Sequence, residues 1–482
     1  MQPTDPSTMT RNHKLFEIEQ ETVGQIPEDQ RHGTSGSLVS IWAGMNMTPL
    51  TVVTGATATT ALGLPIGWAI VAILLGHVLG GIGMALHAAQ GPRLGVPQML
   101  QARGQFGSYG SVIIVLVAAI MFVGYFASNL VVAAQSVNAI FPTFDENTAI
   151  VVGIVVSFAI AFFGYQMVRV TTAIGAYVVG ALVVLSFIAI GVSGGFAKVL
   201  GHGHFTLVGF SAMVAIGVVW QLTYAPYVSD YSRYMPKHSG TRGAFWGTYV
   251  GCVASSIVLM ILGAVVGIAA STANTMGGLD SLVGPVLGFL VLLGFALVAW
   301  TGNAVNVYCS TLCAITLVET FVRDWRPKFK ARLWATIVLH VVGGVIAALM
   351  LANFANAFTD FLSILLYVLI PWSAVNLVDY YVIRDGDYAV SEFYRKDGGR
   401  YGRWNIAANI VFAVGVLAQL PFLVTSFYTG PIAQVLGGVD VAWLVGFVVS
   451  GVAYLLFARF APRLARLDRD DLARAPLEEV AH

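Results

Sequence analysis

Twelve apolar stretches run through this chain, near residues 38–62, 66–90, 110–139, 148–168, 171–195, 207–228, 244–271, 282–320, 332–352, 357–383, 405–427 and 438–459. Most are close to or above the roughly 20 residues a helix needs to cross bilayer hydrocarbon. In lipid a segment must pair its own backbone N–H and C=O groups, so repeated stretches of this length read as helices. Only 10% of the 482 residues are charged and 57% are hydrophobic, against about 25% charged in soluble domains. The expected fold class is an all-α integral membrane protein with twelve transmembrane helices. Residues 38–460 would form the helical domain, 1–37 a polar N-terminal tail and not a cleavable signal, and 461–482 a charged C-terminal tail.

Charge placement orients the spans. With the N-terminus inside and the helices alternating, Arg93, Arg103, Arg169, Arg233, Lys237, Arg242, Arg323 to Arg332, Arg384 to Arg403 and Arg459 to Arg474 all fall on the cytoplasmic side. Of the 25 basic residues only Lys198 lies outside, which is the positive-inside pattern. Both termini are expected in the cytoplasm and the chain in the inner membrane.

No Lys, Arg, Asp or Glu sits near the middle of any span. Asp230, Glu319 and Asp379 lie at inner helix ends, and Asp360 near the outer end of the tenth. Intramembrane charge usually marks an ion path. Its absence argues against voltage sensors, carboxylate-lined pores and arginine-clamped anion carriers, and for an uncharged cargo. A membrane enzyme is disfavoured as well: there is no H-E-x-x-H, no central carboxylate pair and no nucleophile beside a base. A channel is the third class, distinguished from a carrier by uptake that never saturates. Cys252, Cys309 and Cys313 fall within spans. Cys309 and Cys313 share a helix face, but two thiols alone make a poor metal site, so packing is expected. His77 and His340 read first as packed neutral rings and second as proton carriers.

Two spans are interrupted. The first, "SIWAGMNMTPL", carries Gly44, Asn46 and Pro49; the sixth, "GVVWQLTYAPYVSDYSRY", carries Gly217 and Pro226. Matching interruptions in two halves point to a secondary transporter's binding site. Spans one and six are five apart, which predicts a five-plus-five inverted repeat followed by two C-terminal helices.

Three helices supply the chemistry. Tyr125 and Asn129 are four apart in the third span, and Trp220 and Tyr224 in the sixth, with Gln221 beside them. Asn303, Asn306 and Ser310 form a polar stripe in the eighth. Spacings of three and four put side chains on one helix face. Aromatic faces sandwich a delocalised ring, and carboxamides match a donor and an acceptor on its edge. Singly, each has a plainer reading, the aromatics as interface anchors and the asparagines as interhelical bonds. Together they suggest a pocket for a small, flat, uncharged heterocycle.

The segments "SIWAGMNMTPL", "GPRLGVPQMLQARGQFGSYGS", "YAPYVSDYSRYMP", "GNAVNVYCS" and "PWSAVNLVDYYVIRD" resemble the nucleobase:cation symporter-1 family, and within it the purine–cytosine permeases, over nearly the whole chain. The resemblance implies the leucine-transporter fold. It also implies a substrate ring held between aromatics of the third and sixth helices, its edge bonded by an asparagine of the eighth. On that pattern Tyr125 stands where many members carry Trp, with Asn129 following. Trp220 or Tyr224 is the second stacking group, with Gln221 adjacent, and Asn303 or Asn306 supplies the edge contact. A sodium site would draw on carbonyls near Gly44 and Met45 and on the hydroxyl of Thr301. Gly302 stands where sodium-using members place a second hydroxyl, and proton-using members lead one to seek a carboxylate that is absent here. The coupling cation is thus Na+ or H+, and no cofactor is expected. The function implied is import of a neutral nucleobase, cytosine or a purine, by cation symport with alternating access. The alternative cargo is hydantoin, allantoin or another pyrimidine-related heterocycle. Expected partners are that heterocycle and the lipid bilayer, with no nucleic acid.

Overall fold

The computed structural model describes residues 24–163, 165–238, 240–270, 274–322, 325, 329–395, 397–463 and 465, leaving aside the side chains of 162–173 and 176. The expected tails at 1–23 and 466–482, the side chain of Arg169, and Arg323 and Arg326 lie outside the described residues. Among those described, the chain is helical apart from loops and one isolated bridge between Val424 and Thr429.

The first expected span is two helices, α1 (Ser35–Asn46) and α2 (Pro49–Thr60). Pro49 starts α2, where its missing N–H and fixed φ are tolerated. Thr48 before it is extended, at φ −113° and ψ 153°. The carbonyl that ends α1 is not abandoned: Asn46 O accepts from Thr51 Oγ1 at 2.7 Å and from Thr48 N at 2.7 Å. Then follow α3 (Ile66–Ala88), two short helices α4 (Gln90–Leu94) and α5 (Gln98–Phe106), α6 (Ser111–Ile140), α7 (Glu146–Phe163) and α8 (Tyr165–Val192).

The sixth expected span is broken in the same manner, into α9 (Leu207–Leu222) and α10 (Val228–Ser232), with Pro226 in the gap. Next come α11 (Gly240–Ala269), α12 (Thr275–Val283), α13 (Pro285–Phe321), α14 (Phe329–Met350) and α15 (Phe354–Leu377). The chain closes with α16 (Ile406–Gln419), α17 (Pro431–Val435) and α18 (Ala442–Phe460). Among the described residues six helical segments are long and apolar enough to cross a membrane: Ile66–Leu94, Ser111–Ile140, Gly240–Ala269, Pro285–Phe321, Phe329–Ile383 and Ala442–Phe460. Phe329–Ile383 contains two of the expected spans. Shorter apolar helices at Glu146–Ala161, Tyr177–Val192, Leu207–Leu222 and Ile406–Phe422 accompany them. This is a multi-pass helical membrane protein.

The helices sort into two packed groups. One holds α1, α2, α3, α9 and α11; the other holds α6, α7, α13 and α14, with α6 lying along α13. In lipid, close backbone approach replaces the hydrophobic drive, so small residues line such contacts. A Cβ on Gly263 of α11 would lie 1.8 Å from Val52 O, and one on Gly55 of α2 would lie 2.1 Å from Met260 O. Both positions are therefore restricted to glycine.

At the arginine-bearing end, α15 runs into a π-turn, Val378–Ile383. There the buried Asp379 carboxylate accepts from Arg384 Nε at 3.1 Å, from the Tyr454 hydroxyl of α18 at 2.8 Å and from the Tyr388 hydroxyl. Burying a charge is tolerated only when it is paired and hydrogen-bonded. This cluster ties α18 to the end of α15.

Candidate functional site

Both helix breaks open onto one central cavity of about 60 Å³. Met45, Thr48 and Leu50 line it from the first break, and Trp220, Thr223, Tyr224 and Tyr227 from the second. Met121, Phe122, Tyr125 and Asn129 come from α6, and Gly302, Val305 and Asn306 from α13. The volume is well below the roughly 300 Å³ at the small end of ligand clefts, so the walls must part to admit a ring.

The aromatic groups of α6 and α9 do meet. Tyr125 and Trp220 lie edge to face, centroids 6.1 Å apart at 90°, and Tyr125 also packs on Phe361 of α15 at 5.4 Å. The Tyr125 hydroxyl donates to Thr223 Oγ1 at 3.1 Å. Trp220 and Tyr224 both line the cavity, and both are held by Asn46, which the sequence marked only as an interruption. Asn46 Oδ1 accepts from Trp220 Nε1 at 2.9 Å, the Tyr224 hydroxyl at 2.8 Å and Ser256 Oγ at 2.7 Å. The broken first helix thereby sets the orientation of both sixth-span aromatics.

Gln221 turns the other way. Its Nε2 donates to His77 Nδ1 at 2.9 Å and to Ser256 Oγ at 3.3 Å, and it does not line the cavity. One residue along a helix is about 100° around it, so a neighbour of Trp220 faces a different partner. His77 is fully buried, with Nε2 3.1 Å from the Met260 sulfur. His340 places Nδ1 2.8 Å from the Thr336 carbonyl and packs on Phe126.

The asparagines divide as well. Asn303 is fully buried and does not line the cavity. Its Nδ2 donates to Phe126 O at 3.0 Å, and its Oδ1 accepts from Asn129 Nδ2 at 3.1 Å and Asn306 Nδ2 at 3.3 Å. Asn129 and Asn306 are the carboxamides at the cavity wall. Ser310 bonds back to Ala119 O at 3.5 Å.

Of the residues considered for a cation, Met45 and Gly302 line the cavity, and Gly44 and Thr301 adjoin them in the chain. Gly44 O accepts from Met47 N at 3.2 Å. The helical donor for Met45 O would come from residue 49, which is a proline and has no N–H. Thr301 Oγ1 donates to Val298 O at 3.0 Å, which leaves its lone pairs available. A Cβ on Gly302 meets nothing within 4 Å.

A second cavity, of about 340 Å³, lies on the arginine-bearing side and shares Phe122 and Tyr227 with the first. Its wall includes Arg103, Asp230, Glu319, Cys309, Cys313 and Tyr394. Asp230 lies beyond the end of α9, on α10, and accepts from Gln98 N at 2.9 Å. Desolvation pushes its carboxyl up to about 6, against the opposing pull of Arg233 and of that N–H. Of His77, His340 and the inner-end acids, the groups that could carry a proton, Asp230 and Glu319 line the larger cavity, whereas Asp379 is enclosed by its Arg384 and tyrosine partners.

Residues 25–446 match the sequence profile of the family described as permeases for cytosine/purines, uracil, thiamine and allantoin. The chain belongs to this permease family. It is a membrane transporter and not an enzyme. The Bacillus subtilis protein YxlA, whose name describes a purine-cytosine permease, is 35% identical over 454 residues, covering 94% of this chain and 98% of that one. The purine-cytosine permease fcyB of Emericella nidulans is 25% identical, covering 92% and 89%. Among solved structures the chain is similar to Mhp1, a nucleobase-cation-symport-1 family transporter in a closed conformation with bromovinylhydantoin bound. That likeness has a TM-score of 0.75 at 19% identity and covers 95% of this chain and 98% of that one. A Na+-coupled sialic acid symporter aligns with a TM-score of 0.60 at 13% identity, covering 90% and 91%. The transporter fold read from the two helix breaks is thus shared with solved symporters.

In this permease, sequence reasoning passed over Asn46, Phe122, Tyr227 and Phe361. Asn46 carried a signal, a carboxamide at a helix break, but nothing local said which helix it would bond. Phe122 precedes Tyr125 by three positions, a spacing that places both on one face.

Proposed function

We propose that this permease carries a small neutral nucleobase, cytosine or a purine, together with a cation, by alternating access. The observation that carries the reading is the single cavity where two helix breaks, two aromatic pairs and two carboxamides converge. Aromatic faces suit a flat ring and amides suit its edge, and the name of the 35% identical relative points to the same cargo. A hydantoin or related heterocycle is the second reading, because the structural relative Mhp1 has bromovinylhydantoin bound and such a ring has comparable N–H and C=O groups.

In this reading residues 38–460 form a twelve-span domain in the inner membrane with both termini and the 340 Å³ cavity on the cytoplasmic side, an orientation that the distribution of basic residues supports. On that orientation the larger cavity lies on the inner side of the central one. The cation in this reading is sodium. The Met45 carbonyl lacks its helical donor and the Thr301 hydroxyl keeps its lone pairs, so both can serve as hard oxygen ligands without a buried charge. Two such ligands make a weak site, and Gly302→Thr should tighten it, since the space beside Gly302 is open.

A thermal-shift panel on the purified protein tests the cargo. Cytosine, adenine and their relatives should stabilise it, and nucleosides should not, because a pocket closed on both ring faces leaves no place for a ribose. Stabilisation by hydantoins or ureides alone would move the assignment to the second reading.

A further inference from the structure

The three asparagines form a ladder with a fixed polarity. Phe126 O is a backbone carbonyl and only accepts, so the group of Asn303 facing it at 3.0 Å must be the nitrogen. That turns Asn303 Oδ1 toward Asn129 and Asn306, and only their nitrogens can meet it, at 3.1 and 3.3 Å. Each outer amide is left with its oxygen and one N–H, and it is the oxygen that the ladder turns away from Asn303. No donor among the described residues reaches Asn129 Oδ1, although the side chain is 93% withdrawn from solvent. The one side-chain hydrogen bond of Asn306 among those residues is likewise made by its nitrogen. Both residues line the central cavity.

We propose that Asn303 is a positioning residue that turns Asn129 and Asn306 so that both offer oxygens to the cargo, and that the site selects heterocycles carrying at least two N–H donors. The proposal rests on the nucleobase reading above. Adenine, with a ring N–H and an amino group, satisfies both oxygens; unsubstituted purine has a ring N–H alone. Cytosine and pyrimidin-2-one form the same contrast among single rings, and uracil, with two ring N–H groups, falls on the accepted side. A ligand that leaves a buried acceptor unpaired loses more than the bond it fails to make.

The test is titration of the purified permease by tryptophan fluorescence with adenine, purine, cytosine and pyrimidin-2-one. The one-donor member of each pair should bind roughly tenfold to a hundredfold more weakly. In Asn303→Leu the outer amides are free to turn, and the ratio within each pair should fall toward one while some affinity remains. Asn303→Ser serves the same purpose if Asn303→Leu fails to fold. Equal binding within both pairs by the unmodified protein overturns the donor requirement while leaving the nucleobase reading intact. An unchanged ratio in a folded Asn303 variant overturns the positioning role. No binding by any of the four defeats the nucleobase reading itself, and the proposal with it.

Discussion

Phe122 and Tyr227 meet edge to face with ring centroids 5.1 Å apart, and they are the two residues shared by the central cavity and the larger one beside it. In the proposed reading this pair separates the cavity that would grip a ring from the side on which the ring would leave. An edge-to-face pair contributes about 0.5–1.5 kcal/mol beyond its buried area. Phe122→Ala or Tyr227→Ala should therefore raise KM for uptake by about twofold to tenfold at equal expression. Tyr227→Phe keeps the ring and should stay near the unmodified value. Uptake kinetics in cells or vesicles check this, and an unchanged KM in both alanine variants would remove the partition role.

The two sixth-span aromatics should separate on mutation. Trp220→Ala removes a ring from the cavity wall and should weaken cargo binding by about 1–3 kcal/mol, the range for stacking of bases on aromatics. Tyr224→Phe removes one of three donors to Asn46 Oδ1, which has two lone pairs. Because two donors remain, affinity should change by less than about threefold. A loss as large as that of Trp220→Ala would mean that the Tyr224 hydroxyl bonds the cargo directly.

The Asp379 cluster predicts a stability effect distant from the site. Removing one member of a buried ion pair costs about 3–5 kcal/mol, whereas replacing both with apolar groups is often neutral. Asp379→Ala should lower the unfolding temperature in detergent by several degrees, and Asp379→Leu with Arg384→Met should recover most of the loss.

Asp230 predicts a pH dependence. Its carboxyl is raised to about 6 in the folded protein, against about 3.9 for a solvated aspartate. Between those values the folded state holds the proton more tightly, so its stability falls as pH rises through that window. Relative to Asp230→Asn, which stays neutral like the protonated carboxyl, the unfolding temperature of the unmodified protein should fall from about pH 4 to pH 6.5 and then level. A difference constant across the range would show that Asp230 is well solvated.

The positions of the two helix breaks were legible from Pro49 and Pro226, because proline acts through its own missing N–H and needs no knowledge of neighbours. The convergence of Tyr125 with Trp220 was legible from the matched spacing in the two spans together with the family resemblance. The division of labour among the asparagines was not. Asn303 and Asn306 are three apart and share a face, and which of them turns to the backbone of α6 depends on how closely α6 and α13 approach. Gln221 was read with Trp220 by adjacency, but helical geometry sends adjacent side chains to different partners. The pairing of Asp379 with Arg384, five residues on, depends on a π-turn that no ordinary helical spacing predicts.

The central claim, that this permease moves a neutral nucleobase with a cation through the cavity at Trp220, is tested most directly in proteoliposomes. Uptake of radiolabelled cytosine and adenine would be measured with a sodium gradient at equal pH, for the unmodified protein and Trp220→Ala. The account predicts saturable uptake driven by sodium, competed by other nucleobases but not by nucleosides, and reduced by roughly tenfold or more in Trp220→Ala. Uptake that follows a pH gradient and ignores sodium would overturn the cation assignment and direct attention to Asp230 and Glu319. Absence of saturable nucleobase uptake under either gradient would contradict the account itself.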